Sequence, residues 1–157
     1  MISREAPPIP IATWHLAAAS LLGGLLGSAA RAGADWAFAS MGAPAWTARV
    51  FINVLGGFLI GLLFARLVGH RSDNAPEGIT HRQRLHEHLW GAGALGGFTT
   101  VSGFAWDAAA AINDRKFAVL ALILLANAVV GVAACALGWK LATPNRILEL
   151  KGPAAQR

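Results

Sequence analysis

Apolar residues run along this chain in four long blocks, separated by short polar stretches. The blocks are apolar nearly all round, without the one-sided stripe of a soluble surface helix. Each approaches the roughly 20 residues that carry a helix through a bilayer. The pattern predicts an all-α membrane protein with spans at about 11–33, 48–67, 89–112 and 117–140. These form a single transmembrane domain over the 157 residues. The first block follows a leader with three prolines and outruns the apolar region of a signal peptide. Three more spans follow it, so it is read as a helix kept in the mature protein.

The polar interruptions set the orientation. GHRSDNAPEGITHRQRLHEH between spans two and three is the one long hydrophilic loop, NDRK at 113–116 is a short turn, and ATPNRILELKGPAAQR is a polar tail. Four spans place both termini on one side. That side carries nine basic residues: Arg4, Arg66, Arg71, Arg82, Arg84, Lys140, Arg146, Lys151 and Arg157. The other carries four: Arg31, Arg49, Arg115 and Lys116. The excess favours cytoplasmic termini, and it shrinks, leaving a mixed orientation open, if the distal tail is discounted. Trp36 and Trp46 suit the membrane–water interface.

Composition agrees with a membrane chain: 55% hydrophobic and only 13% charged. The net charge of +5 falls between and after the apolar blocks rather than in a basic patch interleaved with aromatics, so no nucleic-acid partner is expected. Cys135 is the one cysteine, which excludes an intrachain disulfide framework, and it reads as a small hydrophobe. His86-Glu87-His88 has metal-ligand chemistry, but the five histidines read as solvated or interfacial and carry no assigned role. No nucleophile–base arrangement or redox site points to an enzyme.

Polar groups inside the spans are few. Arg49 and Arg66 lie near span ends and read as snorkelling cations, Arg49 with the alternative of drawing anions to a pore mouth, and Arg31 has the snorkelling option too. Asp107 is deeper, where an unpaired carboxylate costs a few kcal/mol. It is expected to pair with Arg31 or to line water. Asn53 and Asn127 are single mid-span amides. They read equally as interhelical glue worth about 0.6 kcal/mol and as donors lining an ion path, since an amide N–H binds an anion without trapping it.

Within span three, GALGGFTTVSGF (93–104) holds four glycines and three hydroxyl residues in twelve positions. Gly96-Gly97 followed by Thr99-Thr100 predicts a break near mid-membrane. Irregular backbone at that depth is tolerated only inside protein or beside a cavity. There it offers carbonyls to a cation and helix N-terminal N–H groups to an anion. The alternative is an unbroken, close-packed glycine helix with threonines bonded back to their own backbone.

These motifs, in order, resemble the CrcB/Fluc fluoride channel family. GGLLGSAAR, NVLGGFLIG, GALGGFTTVSGFAWD and NAVVG carry the likeness over about residues 14–140. The resemblance implies an antiparallel, dual-topology homodimer in a bacterial cytoplasmic membrane, with fluoride ion and the lipid bilayer as its partners. It implies two narrow fluoride pores lined by Asn53, Phe104, Asn127, Thr100 and Ser102. It also implies a structural Na⁺ at the dimer centre, held by the backbone carbonyls of Gly96 and Thr99. Arg31 matches the family's span-one arginine, and Asp107 stands where glutamate is usual.

Three departures accompany the likeness. The family's TTFSTF reads TTVSGF here, so Val101 replaces a pore-lining phenylalanine. Ala48-Arg49 replaces a glycine–threonine pair before Asn53. The polar loop between spans two and three is long for the family. Pairing with a related subunit is a further option that the resemblance allows. Two other readings stand beside the channel: a small proton-coupled exporter of the four-helix dual-topology type, and a non-transporting membrane scaffold. The exporter needs a carboxylate within span one, and Asp35 falls just past it.

Overall fold

The computed structural model describes residues 12–74 and 81–143. The leader with Arg4 and Ile11, the middle of the polar loop at 75–80 and the tail from 144 onward lie outside the described residues, as do the side chains of Ala12, of 68–74 and of His81. Five helices account for the rest: α1 (Ala12–Ser40), α2 (Ala45–Asn74), α3 (81–98), α4 (Val101–Asn113) and α5 (Phe117–Ala142). Among the described residues, three segments are singly long and apolar enough to cross a bilayer: Thr13–Ser40, Ala45–Leu67 and Phe117–Ala142. The remaining apolar stretch is shared between α3 and α4.

Helix α1 runs seven residues past Gly33, so Asp35 and Trp36 are helical rather than part of a connector. Nothing in ADWAFAS breaks a helix. The stop comes at Gly42, whose φ of 71° is cheap only for glycine. The Ala43 N–H then reaches back to the Phe38 carbonyl (3.0 Å) and the Gly42 N–H to Ala39 (3.0 Å). This is a Schellman cap, which satisfies carbonyls left over at the helix end. The α4–α5 turn is as tight: Arg115 adopts φ 56°, and the Lys116 N–H bonds the Ala111 carbonyl at 2.8 Å. The Lys116 ammonium beside Asp114 (2.9 Å) holds that exposed carboxyl below its ordinary range.

Two helices contain wide π-type turns. Residues Glu87–Leu95 of α3 form one, and the Gly96 N–H reaches the Gly91 carbonyl five residues back. Residues Ala126–Val130 of α5 form the other, with the Gly131 N–H on Ala126. Asn127 sits inside the second. Such turns recur at functional sites because they loosen the helical ladder.

The helices associate in two seams made of small residues. Along α2, Gly57 and Gly61 face Gly131 and Cys135 of α5, and Gly138 of α5 meets the Phe58 backbone in return. Along α1, Gly23 and Gly27 meet the α3 backbone at Leu89, Gly93 and Ala94, and Gly97 of α3 touches Gly24. Lipid removes the hydrophobic drive between helices, so close backbone approach supplies the packing instead. The buried apolar set is accordingly small: Ala48, Ile52, Ala65, Ala111 and Ile123. Leu21, Leu25, Leu122 and Leu125 point outward, as suits a chain whose solvent is hydrocarbon.

Candidate functional site

The polar groups of the spans converge where α3 gives way to α4. Gly96-Gly97-Phe98 remains helical, and the backbone departs only at Thr99 (φ −75°, ψ 158°) and Thr100 (φ −148°, ψ 112°). The glycines therefore do not themselves depart from helix. Gly97 lies against the Gly24 backbone, where a Cβ would come within 2.5 Å of the Gly24 carbonyl oxygen. Close packing accounts for the glycine, and the threonines carry the change of direction.

Each threonine manages one side of the interruption. Thr99 bonds backward, its N–H and its hydroxyl both donating to the Leu95 carbonyl at 3.0 and 2.9 Å. Thr100 bonds forward: its Oγ1 accepts the Gly103 N–H at 3.0 Å and so caps α4 at its third residue. The Ser102 hydroxyl lies 3.2 Å from Thr100 Oγ1, on the exposed side.

Asn53 from α2 spans the gap. Its Oδ1 accepts the Thr100 N–H at 2.9 Å, and its Nδ2 donates to the Thr100 carbonyl at 3.1 Å. In an unbroken helix that N–H would go to the Gly96 carbonyl, four residues back. Asn53 thus takes over from the helical ladder and leaves the Gly96 oxygen without its usual donor. The same Nδ2 donates to Asn127 Oδ1 at 2.8 Å. Asn127, inside the wide turn of α5, in turn donates Nδ2 to the Ile123 carbonyl one turn before it at 2.8 Å. Asn53 has spent both amide hydrogens, whereas Asn127 keeps one that has no partner among the described residues.

The charged groups sort differently from the sequence expectation. Asp107 is buried and pairs with Arg49 of α2 through Nη1 and Oδ1, not with Arg31. Arg49 is therefore held inside the bundle rather than snorkelling free. The reason is steric: Gly103, one turn before Asp107 on α4, leaves room for the Arg49 stem, since a Cβ there would stand 2.8 Å from Arg49 Cδ. Arg31 instead directs Nη1 toward the Thr99 carbonyl at 3.5 Å. A burial-driven Arg–Asp pair across α2 and α4 was not legible, because Arg49 and Asp107 are 58 residues apart with no shared motif.

The remaining residues lie around this cluster. Phe104 is half-buried on α4, and Val101, its first residue, is 80% exposed. The Ser20 hydroxyl meets His88 Nδ1 at 3.0 Å between α1 and α3, so His88 has a helix-pairing contact that sequence reasoning did not find.

The arrangement offers amide and hydroxyl donors and freed carbonyls in the interior of an apolar bundle, with one neutralised ion pair beside them. It suits passage or binding of a small ion. Comparison with known proteins agrees in its own terms. Residues 18–139 match the family described as CrcB-like protein, Camphor Resistance (CrcB). A protein of Caulobacter vibrioides named fluoride-specific ion channel FluC is 35% identical over 113 residues, covering 71% of this chain and 83% of that one. Its namesake in Thermus thermophilus is 34% identical over 122 residues (76% and 87%). Fluoride-specific ion channel FluC 2 of Thermobifida fusca is 36% identical over 118 (73% and 78%). With the matched region spanning all five helices, this multi-pass membrane chain belongs to the CrcB-like family.

Proposed function

We propose that this chain is a fluoride-selective channel that lets F⁻ leave the cytoplasm passively. The observation that carries the reading is the pair of intramembrane amides, Asn53 and Asn127, hydrogen-bonded to each other and to the interruption at Thr99-Thr100. Amide N–H donors replace part of an anion's hydration without a fixed charge to trap it, which is what a conducting filter needs. The unspent N–H of Asn127 is the first available donor, and Asn53 exchanges its bond to Asn127 Oδ1 for the passing ion. Phe104 and the hydroxyls of Thr100 and Ser102 complete the path. The names of the relatives above support fluoride as the ion.

The physiological logic is acid trapping. HF crosses membranes, dissociates in the less acidic cytoplasm and leaves F⁻ behind. A negative-inside potential then drives the anion out by about 2.3 kcal/mol per 100 mV. The compartment in this reading is the bacterial cytoplasmic membrane.

The functional unit in this reading is an antiparallel, dual-topology homodimer, with the interruption of the third span near mid-membrane. A structural Na⁺ fits the donor set in part. The Gly96 carbonyl has lost its helical donor, and carbonyl oxygens suit a hard cation. The Thr99 carbonyl already attracts Arg31 at 3.5 Å, so it becomes a ligand only when that guanidinium turns aside. Gly96 and Thr99 of two subunits would hold the ion, whose part is to fix the interruption rather than to move.

The test is fluoride efflux from proteoliposomes, with the potential clamped by a potassium ionophore and fluoride read by electrode. Rapid release of fluoride but not chloride supports the channel. Release no faster than from empty liposomes overturns it.

A further inference from the structure

The Arg49–Asp107 pair joins α2 to α4 beside Asn53, and its placement raises a more specific role. Arg49 precedes Asn53 by four residues on α2, so the two side chains lie on one face about 5–6 Å apart at Cβ. Arg49 is the more exposed partner at 26%, and Asp107 the enclosed one at 9%. The carboxylate takes Nη1 of the guanidinium, and a guanidinium carries five N–H donors. Asp35 of α1 also lies within electrostatic reach of Asp107. Arg49 is therefore the cation one helical turn from Asn53, and it offsets the Asp107 carboxylate that would repel an anion approaching there. Gly103 completes the arrangement, since the Arg49 stem occupies the space that any side chain there would fill.

We propose that Arg49 is a docking cation for small inorganic anions, stationed one turn outside Asn53, tethered by Asp107 and given room by Gly103. A free arginine in a narrow path would bind an anion too tightly to release it. One already paired with a carboxylate attracts weakly and lets go, as multi-site conduction requires. Asp107 is on this account a positioning residue: it sets how much positive charge Arg49 shows to the ion. The proposal rests on the channel reading above.

The experiment measures efflux as a function of fluoride concentration in proteoliposomes, with chloride as competitor, for variants that elute as a single species in detergent. R49Q leaves the Asp107 carboxylate uncompensated, and the expected result is at least a tenfold fall in efflux with a raised half-saturating fluoride concentration. D107N frees the guanidinium: half-saturation falls, maximal efflux slows and chloride begins to compete. R49Q/D107N removes both charges and recovers part of the efflux lost in R49Q, without restoring its half-saturation. G103T pushes Arg49 from its place and behaves as R49Q, whereas R49K retains docking. If R49Q does not fold, D107N and the double variant decide. Half-saturation and chloride competition unchanged across D107N and R49Q/D107N, beside a wild type that conducts, would overturn the docking role and leave the channel reading intact. A wild type that conducts no fluoride overturns both.

Discussion

Asn53 Nδ2 donates to Asn127 Oδ1 at 2.8 Å, and the two amides join α2 to α5 beside the interruption between α3 and α4. One side chain thus ties three segments, because Asn53 also makes two bonds to the Thr100 backbone. Replacing Asn53 by alanine strips the Thr100 N–H of its partner in a half-buried site, while the Thr100 carbonyl, as the N-cap of α4, keeps the first N–H of that helix. The N–H left unpaired costs about 1–3 kcal/mol. N53A is expected to lower the thermal midpoint and to reduce fluoride efflux at least tenfold. N53D keeps an acceptor for the Thr100 N–H but sets a negative charge against Asn127 Oδ1 and the anion. Its efflux should fall further than that of N53A. Equal or higher efflux in N53D, measured by electrode, would remove Asn53 from the ion path.

The seam between α2 and α5 makes a prediction about packing alone. A Cβ on Gly61 would overlap the carbonyl oxygen of Cys135 and stand 2.9 Å from the Trp139 nitrogen, both rigid backbone. G61A should therefore push the helices apart and cost about 1–3 kcal/mol. Gly33 of α1 has nothing within 4 Å of its Cβ position. There the same substitution should be neutral or slightly stabilising, since alanine is the better helix former. Thermal unfolding in detergent, followed by size-exclusion chromatography, separates the two. Equal midpoints for G61A and G33A would show that α2 and α5 tolerate a wider separation.

The four apolar blocks were legible because a bilayer imposes a length and a composition on each span. The small-residue seams were legible in outline, since GGLLG and GGFLIG spell close approach directly. The end of α1 was not: Pro44 and Gly42 lie well beyond Gly33, and the polar Asp35 masked a helix that needed no apolar residue to continue. The ionic partner of Asp107 was misread for a related reason. Arg31 and Arg49 both sit near span ends, and only the geometry of α2 against α4, with Gly103 making space, selects between them. The wide turns at Glu87–Leu95 and Ala126–Val130 leave no residue signature of their own.

Thr99 and Thr100 are adjacent and chemically identical, yet their side chains serve different helices. Thr100 Oγ1 caps α4 through the Gly103 N–H, while Thr99 Oγ1 only doubles a bond that its own backbone already makes to Leu95. T100V keeps the shape and removes the cap, a loss of about 0.5–2 kcal/mol. T100S restores it. T99V should be close to wild type in stability, because the Leu95 carbonyl keeps the Thr99 N–H. The thermal midpoints should order as T99V near T100S, both above T100V. The reverse order would mean that the start of α4 is held by packing and not by its cap.

Val101 follows the interruption directly, and at 80% exposure its side chain has almost no contact with the rest of its own chain. A phenylalanine fits there without displacing anything, so V101F should leave the thermal midpoint and the elution profile unchanged. Its effect belongs to the ion path. The edge of an aromatic ring carries partial positive charge and offers an anion a weak contact that valine cannot. In proteoliposomes V101F should raise the rate of fluoride efflux by at least about twofold, without admitting chloride. The companion change F104V removes a half-buried ring from the same helix and should lower efflux. If V101F conducts no faster than wild type while F104V is impaired, a single ring from each chain suffices. If neither changes the rate, the path does not run along this face of α4 at all.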